Sequence, residues 1–132
     1  MPDTSQPVSE FKSKSGLKRI ISAVSYSIDG LCTAWKHEHA FRQELMVAIP
    51  GTVVALLLPV SVLEKLALIG VLVLVLVVEL INSAIEAVVD RVSLDRNPLS
   101  KNAKDLGSAA VLLSFAFALV TWGAILMPLL LG

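Results

Sequence analysis

The chain has 132 residues, enough for one domain, and is 55% hydrophobic with a mean hydropathy of +0.78, which points to a membrane protein. Eleven basic residues balance eleven acidic ones, which argues against a polyanionic partner such as nucleic acid. Cys32 is the one cysteine, so an intrachain disulfide is excluded and a cysteine-based metal site is not expected.

Residues 1–16 carry Pro2, Pro7, four serines and a threonine with few apolar side chains, the composition of a mobile tail. They hold no apolar h-region, so insertion is expected to rely on internal spans. Leu17, Ile20, Ile21, Val24, Ile28, Leu31 and Trp35 then recur at helical spacing, with Lys18, Arg19, Ser22, Ser25, Asp29 and Thr33 on the other side. This predicts an amphipathic helix over 17–36 lying in the membrane interface, with a soluble helix packed on a partner as the alternative. Gly30 weakens it and marks a candidate bend. Residues 36–44 form a polar bridge in which His37 and His39, two apart, face different ways and read as interface histidines rather than zinc ligands. Glu38 shares a helical side with Phe41, Arg42 and Leu45, so it approaches the bundle near the lipid surface.

Residues 45–63 are nineteen without a charge, just enough to cross ~30 Å of hydrocarbon. A first span is predicted over about 42–63, kinked at Pro50-Gly51, with Pro59 near its far end and Glu64-Lys65 in a short loop. Residues 66–78 are aliphatic apart from Gly70, but thirteen residues rise only ~20 Å, so the second span must continue to about residue 89. That places Glu79 one to two turns below the hydrocarbon boundary, Glu86 near it and Asp90 outside. A polar connection with an Asn97-Pro98 turn follows, with Ser100 as candidate helix cap, and then a third span over about 103–128. The small residues Gly107, Ser108, Ala109 and Ala110 are expected to pack against the second span, with Trp122 towards the far interface. Ten of the eleven Lys/Arg precede the first span or lie between the second and third. The positive-inside rule puts the N-terminus in the cytoplasm and the C-terminus outside.

The chemistry concentrates in Glu79-Leu-Ile-Asn82-Ser83-Ala-Ile-Glu86-Ala-Val-Val-Asp90. Relative to Glu79, ~100° per residue puts Asn82 near about −60°, Glu86 near about −20° and Asp90 near about +20°. The three carboxylates therefore share one stripe of an otherwise apolar helix, which is expensive in lipid and asks for a function. Glu38 and Glu86 are hard oxygen donors of the kind Mg²⁺ takes with substrate phosphates. The deeper, less solvated Glu79 suits a general base acting on a lipid hydroxyl. Lys104 and the Arg19 region offer charge to phosphate. The alternative is that Glu79 and Glu86 only hold helices together. Three spans leave much of this stripe near lipid, which predicts a homo-oligomer. No Gly-x-x-x-x-Gly-Lys-Ser/Thr or Gly-x-Gly element occurs.

The Glu79–Asp90 element with Arg91, together with Ala103-Lys104-Asp105-Leu-Gly107-Ser108-Ala109-Ala110, closely resembles the prokaryotic diacylglycerol kinase family. Ala34-Trp35, Glu38 and Ala40-Phe41-Arg42-Gln43-Glu44 resemble its first-span approach, and Arg19-Ile20-Ile21, Tyr26-Ser27 and Gly30-Leu31 its surface helix. The similarity covers roughly residues 17–122. It implies an all-α inner-membrane enzyme, a surface helix plus three transmembrane helices. It also implies a homotrimer that uses MgATP to convert diacylglycerol to phosphatidic acid at sites shared between subunits. Carried over by motif, Glu79 is the catalytic base with Asn82 in support, and Glu38 and Glu86 hold the metal. Arg19, Tyr26, Asp95, Asn97, Lys104 and Asp105 join these two on the nucleotide side. Arg19, Trp35, Phe41, Arg42, Glu44, Glu79 and Ser108 lie on the lipid side. Asp29 and Cys32 depart from the basic residues expected on the surface helix, and Asp95-Arg96-Asn97-Pro98 departs from better-known members. Related Gram-positive proteins phosphorylate undecaprenol instead, which is the alternative acceptor; an oligomeric proton or ion conductor is the alternative from another class.

Overall fold

A computed structural model describes residues 16–132; the tail predicted before them lies outside the described residues. The described residues form four helices: α1 (Gly16–His37), α2 (His39–Leu57), α3 (Val62–Val92) and α4 (Pro98–Leu131). The last three are long and apolar enough to cross a membrane. The expected class, one amphipathic helix followed by three membrane helices, is the observed one.

α1 is a compact unit of its own, separate from the unit that begins at Glu38. Its stripe of Leu17, Ile20, Ile21, Val24, Ile28, Leu31 and Trp35 is exposed, as an interface helix requires. Lys36 places positive charge in its last turn, where the helix dipole favours it. The helix runs unbroken through Gly30, so no break in the helix occurs there.

In the second unit α3 is central and packs on both α2 and α4. Its buried positions, Leu68, Val71, Val75, Glu79 and Asn82, follow one another at steps of three and four and so form a single face. α2 offers Phe41, Ala48 and Ala55 to the interior, and α4 offers Gly107, Ser114 and Ala118. Most of these are small, which lets helices approach closely where lipid supplies no hydrophobic drive between them. The hydroxyls of Thr52 and Ser114 donate to their own helix at the carbonyls of Ala48 and Val111, at 2.8 and 2.7 Å. Val71, Val75 and Ala118 make the apolar centre, with Trp122 packed against it. The Trp122 indole turns inward and donates to the Leu68 carbonyl at 3.1 Å, rather than serving only as an interfacial anchor. An indole N–H within a membrane helix needs an acceptor, and α3 supplies it.

Helix ends differ from the sequence expectation for identifiable reasons. α2 stops at Leu57 rather than near residue 63, because Leu58 precedes Pro59 and is extended (φ −68°, ψ 144°). The helix nevertheless continues through Pro50 and Gly51. Glu64 and Lys65 lie inside α3 rather than in a loop. Ser61 Oγ accepts from the Glu64 N–H, and Glu64 Oε1 accepts from the Ser61 N–H, both at 3.1 Å. Lys65 Nζ reaches back to the Leu56 carbonyl at 2.7 Å and satisfies one open acceptor at the end of α2. α4 starts at Pro98, five residues early, because Asn97 caps it and Pro98 suits the first turn; Ser100 is inside the helix and not its cap. Replacing Ser61 with Ala is therefore expected to cost ~1 kcal/mol of stability. Denaturation in detergent micelles would register this, with catalytic rates unchanged.

Candidate functional site

The packing face of α3 turns polar without leaving the bundle. Glu79 is 6% exposed and Asn82 8%, one turn and two turns beyond the buried Val75. Glu86 is half-buried and Asp90 exposed, so burial within the protein falls along the stripe. Glu44 of α2 lies within hydrogen-bonding reach of Glu79 and is held in a site with one carboxylate oxygen, Oε2, buried and without a hydrogen-bond partner. Glu79 also lies in the electrostatic field of Glu86 and Glu38. Four carboxyl groups are thus gathered at one end of the bundle.

Asn82 is fixed between two neighbours. Its Nδ2 donates to Glu86 Oε1 at 3.4 Å, one turn along the helix. Its Oδ1 is buried with no donor and presses on Gly107 of α4, where a Cβ atom would collide with it. Only Gly107 of the small run packs this way; Ser108, Ala109 and Ala110 are exposed, because consecutive residues point ~100° apart. Glu38 occupies the N-cap position of α2 (φ −107°, ψ 104°) but its side chain does not cap the helix, which leaves the carboxylate available to a ligand. Among the described residues no group of three or more His, Cys, Asp or Glu side chains converges as a complete metal cage. Two carboxylates with further oxygens supplied by a ligand is the donor set that Mg²⁺ accepts, so Glu38 and Glu86 fit it.

Two concave surfaces flank this cluster. A cleft of about 810 Å³ is lined by the end of α3, the 93–97 turn and the start of α4, with the charged residues Asp90, Asp95, Arg96, Lys101, Lys104 and Asp105 in its lining. Lys104 Nζ pairs with Asp90 Oδ1 at 2.7 Å, linking α4 to α3. Lys101 Nζ pairs with Asp105 Oδ2 at 2.5 Å, one turn apart on α4. Ser93 Oγ accepts from the Asp95 N–H at 3.0 Å and shapes the turn, while the Asn97 carboxamide oxygen is committed to capping. An apolar groove of about 470 Å³ runs along α2, α3 and α4 past Val47, Gly51, Leu72, Phe115 and Trp122, with Glu44 in its lining.

The remaining sequence-predicted residues fall in varied places. Arg42 Nη2 donates to His39 Nδ1 at 2.8 Å, and Phe41 is buried at the start of α2. Arg19, Tyr26 and Trp35 belong to α1. The Asp90–Lys104 pair, the contact of Asn82 with Gly107 and the Lys101–Asp105 pair are additions to the sequence reading. Lys101 and Asp105 stand at i,i+4, the spacing that signals a helical ion pair, whereas the other two depend on how α3 and α4 meet.

Residues 25–126 match the family Prokaryotic diacylglycerol kinase. The chain belongs to that family. It is 52% identical over 119 residues to a diacylglycerol kinase of Pseudomonas aeruginosa, covering 90% of this chain and 97% of that one. It is 48% identical over 107 residues to a diacylglycerol kinase of Escherichia coli, covering 81% and 88%. A diacylglycerol kinase of Haemophilus influenzae is 40% identical over 111 residues, covering 84% and 94%. Family membership makes the chain a lipid kinase, and the matched region includes the carboxyl cluster, the groove and the cleft.

Proposed function

We propose that this kinase transfers the γ-phosphoryl group of ATP to diacylglycerol, forming phosphatidic acid at the cytoplasmic face of a bacterial inner membrane. The observation that carries this reading is the course of α3: one helix takes the stripe from an apolar core to Glu79, then Glu86, then the charged cleft at Asp90. Eleven residues separate Glu79 from Asp90, about 16 Å of rise. That distance suits an enzyme whose acceptor comes from lipid and whose donor comes from water. The charge placement around the spans supports a cytoplasmic N-terminus.

Glu79 takes the proton of the acceptor hydroxyl as its oxygen bonds to the γ-phosphorus and the bond to the β–γ bridging oxygen breaks, releasing ADP. Asn82 orients Glu86 through the amide contact. Glu38 and Glu86 would hold Mg²⁺, which when bound neutralises phosphate charge. Lys104 offers a cation to the phosphates; Asp95, Asn97 and Asp105 lie around the same cleft, and family resemblance adds Arg19 and Tyr26 to the nucleotide side. The apolar groove receives an acyl chain with Glu44 close to Glu79 at the reacting end, and resemblance adds Trp35, Phe41, Arg42 and Ser108 to the lipid side. Phosphoryl transfer needs positioning and charge neutralisation more than covalent chemistry, which is what these groups supply.

Family resemblance supports a homotrimer, with neighbouring subunits completing each site. The acceptor is tested on protein in nanodiscs given MgATP and either diacylglycerol or undecaprenol. Phosphatidic acid is the expected product. Phosphorylation of undecaprenol alone would overturn the assignment of the acceptor while leaving the kinase reading intact.

A further inference from the structure

The cleft at the α3–α4 junction is electrically balanced, with Arg96, Lys101 and Lys104 against Asp90, Asp95 and Asp105. Its two lysines are not equivalent. Lys104 bridges two helices to Asp90, and both partners are about half exposed, at 44% and 47%. Releasing it removes a tie between α3 and α4. Lys101 pairs within α4 to Asp105, with side chains 75% and 61% exposed. Ion pairs this exposed are weak and solvent-screened, and breaking this one disturbs no contact between helices.

We infer that Lys101 is an exchangeable counter-ion for a nucleotide polyphosphate, and a determinant of nucleotide affinity in this chain. This rests on the reading of the cleft as the nucleotide site. A nucleoside triphosphate entering a neutral cleft needs cations that can be reassigned, and Lys101 is the lysine whose reassignment costs least. Its flexible four-carbon stem lets the ammonium swing from the Asp105 carboxylate to a phosphate oxygen. The exchange also frees Asp105, whose carboxylate then accepts hydrogen bonds from hydroxyl or amino donors of the same ligand. Lys101 thus does two things in one movement: it adds positive charge to the phosphates and unmasks an acceptor beside them. No bond is made or broken in the step; one ion pair replaces another.

The test uses the full chain in nanodiscs, with Lys101→Met, Lys101→Arg, Lys104→Met and Arg96→Met. The readouts are KM for MgATP, kcat, and equilibrium binding of a fluorescent non-hydrolysable ATP analogue across a salt series. Lys101→Met keeps the stem and removes the charge. It is expected to raise KM and weaken analogue binding by about 5- to 10-fold, with kcat held within about twofold and a shallower salt dependence. Lys101→Arg should restore binding. A merely structural lysine would change unfolding but not this split between KM and kcat. If Lys104→Met weakens binding and Lys101→Met does not, the inference fails and the nucleotide reading stands. If neither variant shifts analogue binding the inference fails, and if Arg96→Met does not shift it either, the cleft is not the nucleotide site and both fall.

Discussion

Glu79→Gln is expected to lower kcat by about 10²- to 10⁴-fold, the range in which a lost general base is felt, while the protein stays folded. The substitution keeps the shape of the side chain and removes its capacity to take a proton. Glu79 is buried on the α3 face that packs against both neighbours, so a group of different volume would confound chemistry with packing. Glutamine avoids that. A neutral amide also suits a position that faces the carboxyl groups of Glu44, Glu86 and Glu38, so the exchange should not weaken the bundle. Single-turnover formation of phosphorylated lipid measures the effect, and thermal unfolding in micelles reports the fold. Glu44→Gln is the informative companion, because Glu44 is the neighbouring carboxyl that could stand in as base. Normal turnover in Glu79→Gln with a collapse in Glu44→Gln would exchange the two roles. ATP-independent, pH-sensitive flux through liposomes, lost in Glu79→Gln, would instead favour a conducting oligomer.

The parts legible in the sequence are those set by one helix at a time. A helix at ~100° per residue gathers Glu79, Asn82, Glu86 and Asp90 on one side, and a hydrocarbon thickness of ~30 Å ranks them by depth. Within the bundle Glu79 and Asn82 are buried, Glu86 is half-buried and Asp90 is exposed. Helix ends were readable in principle too, since Ser61 and Glu64 carry the capping-box spacing and Leu58 precedes a proline. Charge alone puts Glu64 and Lys65 in a loop, because charge marks where lipid ends and not where a helix begins. What no single segment reveals is how helices meet. Glu44 closes the polar bridge of residues 36–44, and nothing nearby in sequence shows that its neighbour in the fold is Glu79, thirty-five residues on. Likewise the run from Gly107 to Ala110 announces close packing without saying which of its four members makes the contact.

That contact is Gly107 with Asn82, and Gly107→Ala should damage catalysis far more than stability. A Cβ at Gly107 overlaps the Asn82 carboxamide oxygen, so the carboxamide must turn aside or α4 must back away. Turning aside is the easier course, because that oxygen is buried with no donor and loses no hydrogen bond when it moves. The amide nitrogen is not so free: it donates to Glu86, and rotation breaks the contact. Overpacking of this kind costs about 1–3 kcal/mol, with the flexible neighbour favouring the lower end. For activity, a carboxylate displaced by about 1 Å can cost about 10²-fold, so kcat should fall by tens of fold or more. Asn82→Ala separates the two effects. Alone, it removes a buried acceptor that has no partner, a gain that offsets the lost 3.4 Å contact with Glu86, so stability should change little while activity falls. Combined with Gly107→Ala, it removes the obstruction, and the double mutant should recover most of the stability lost in Gly107→Ala without recovering turnover. Additive losses of stability in the pair would mean that Gly107 is small for some reason other than Asn82. Unimpaired turnover in Gly107→Ala would mean that the position of Asn82 does not matter to the reaction.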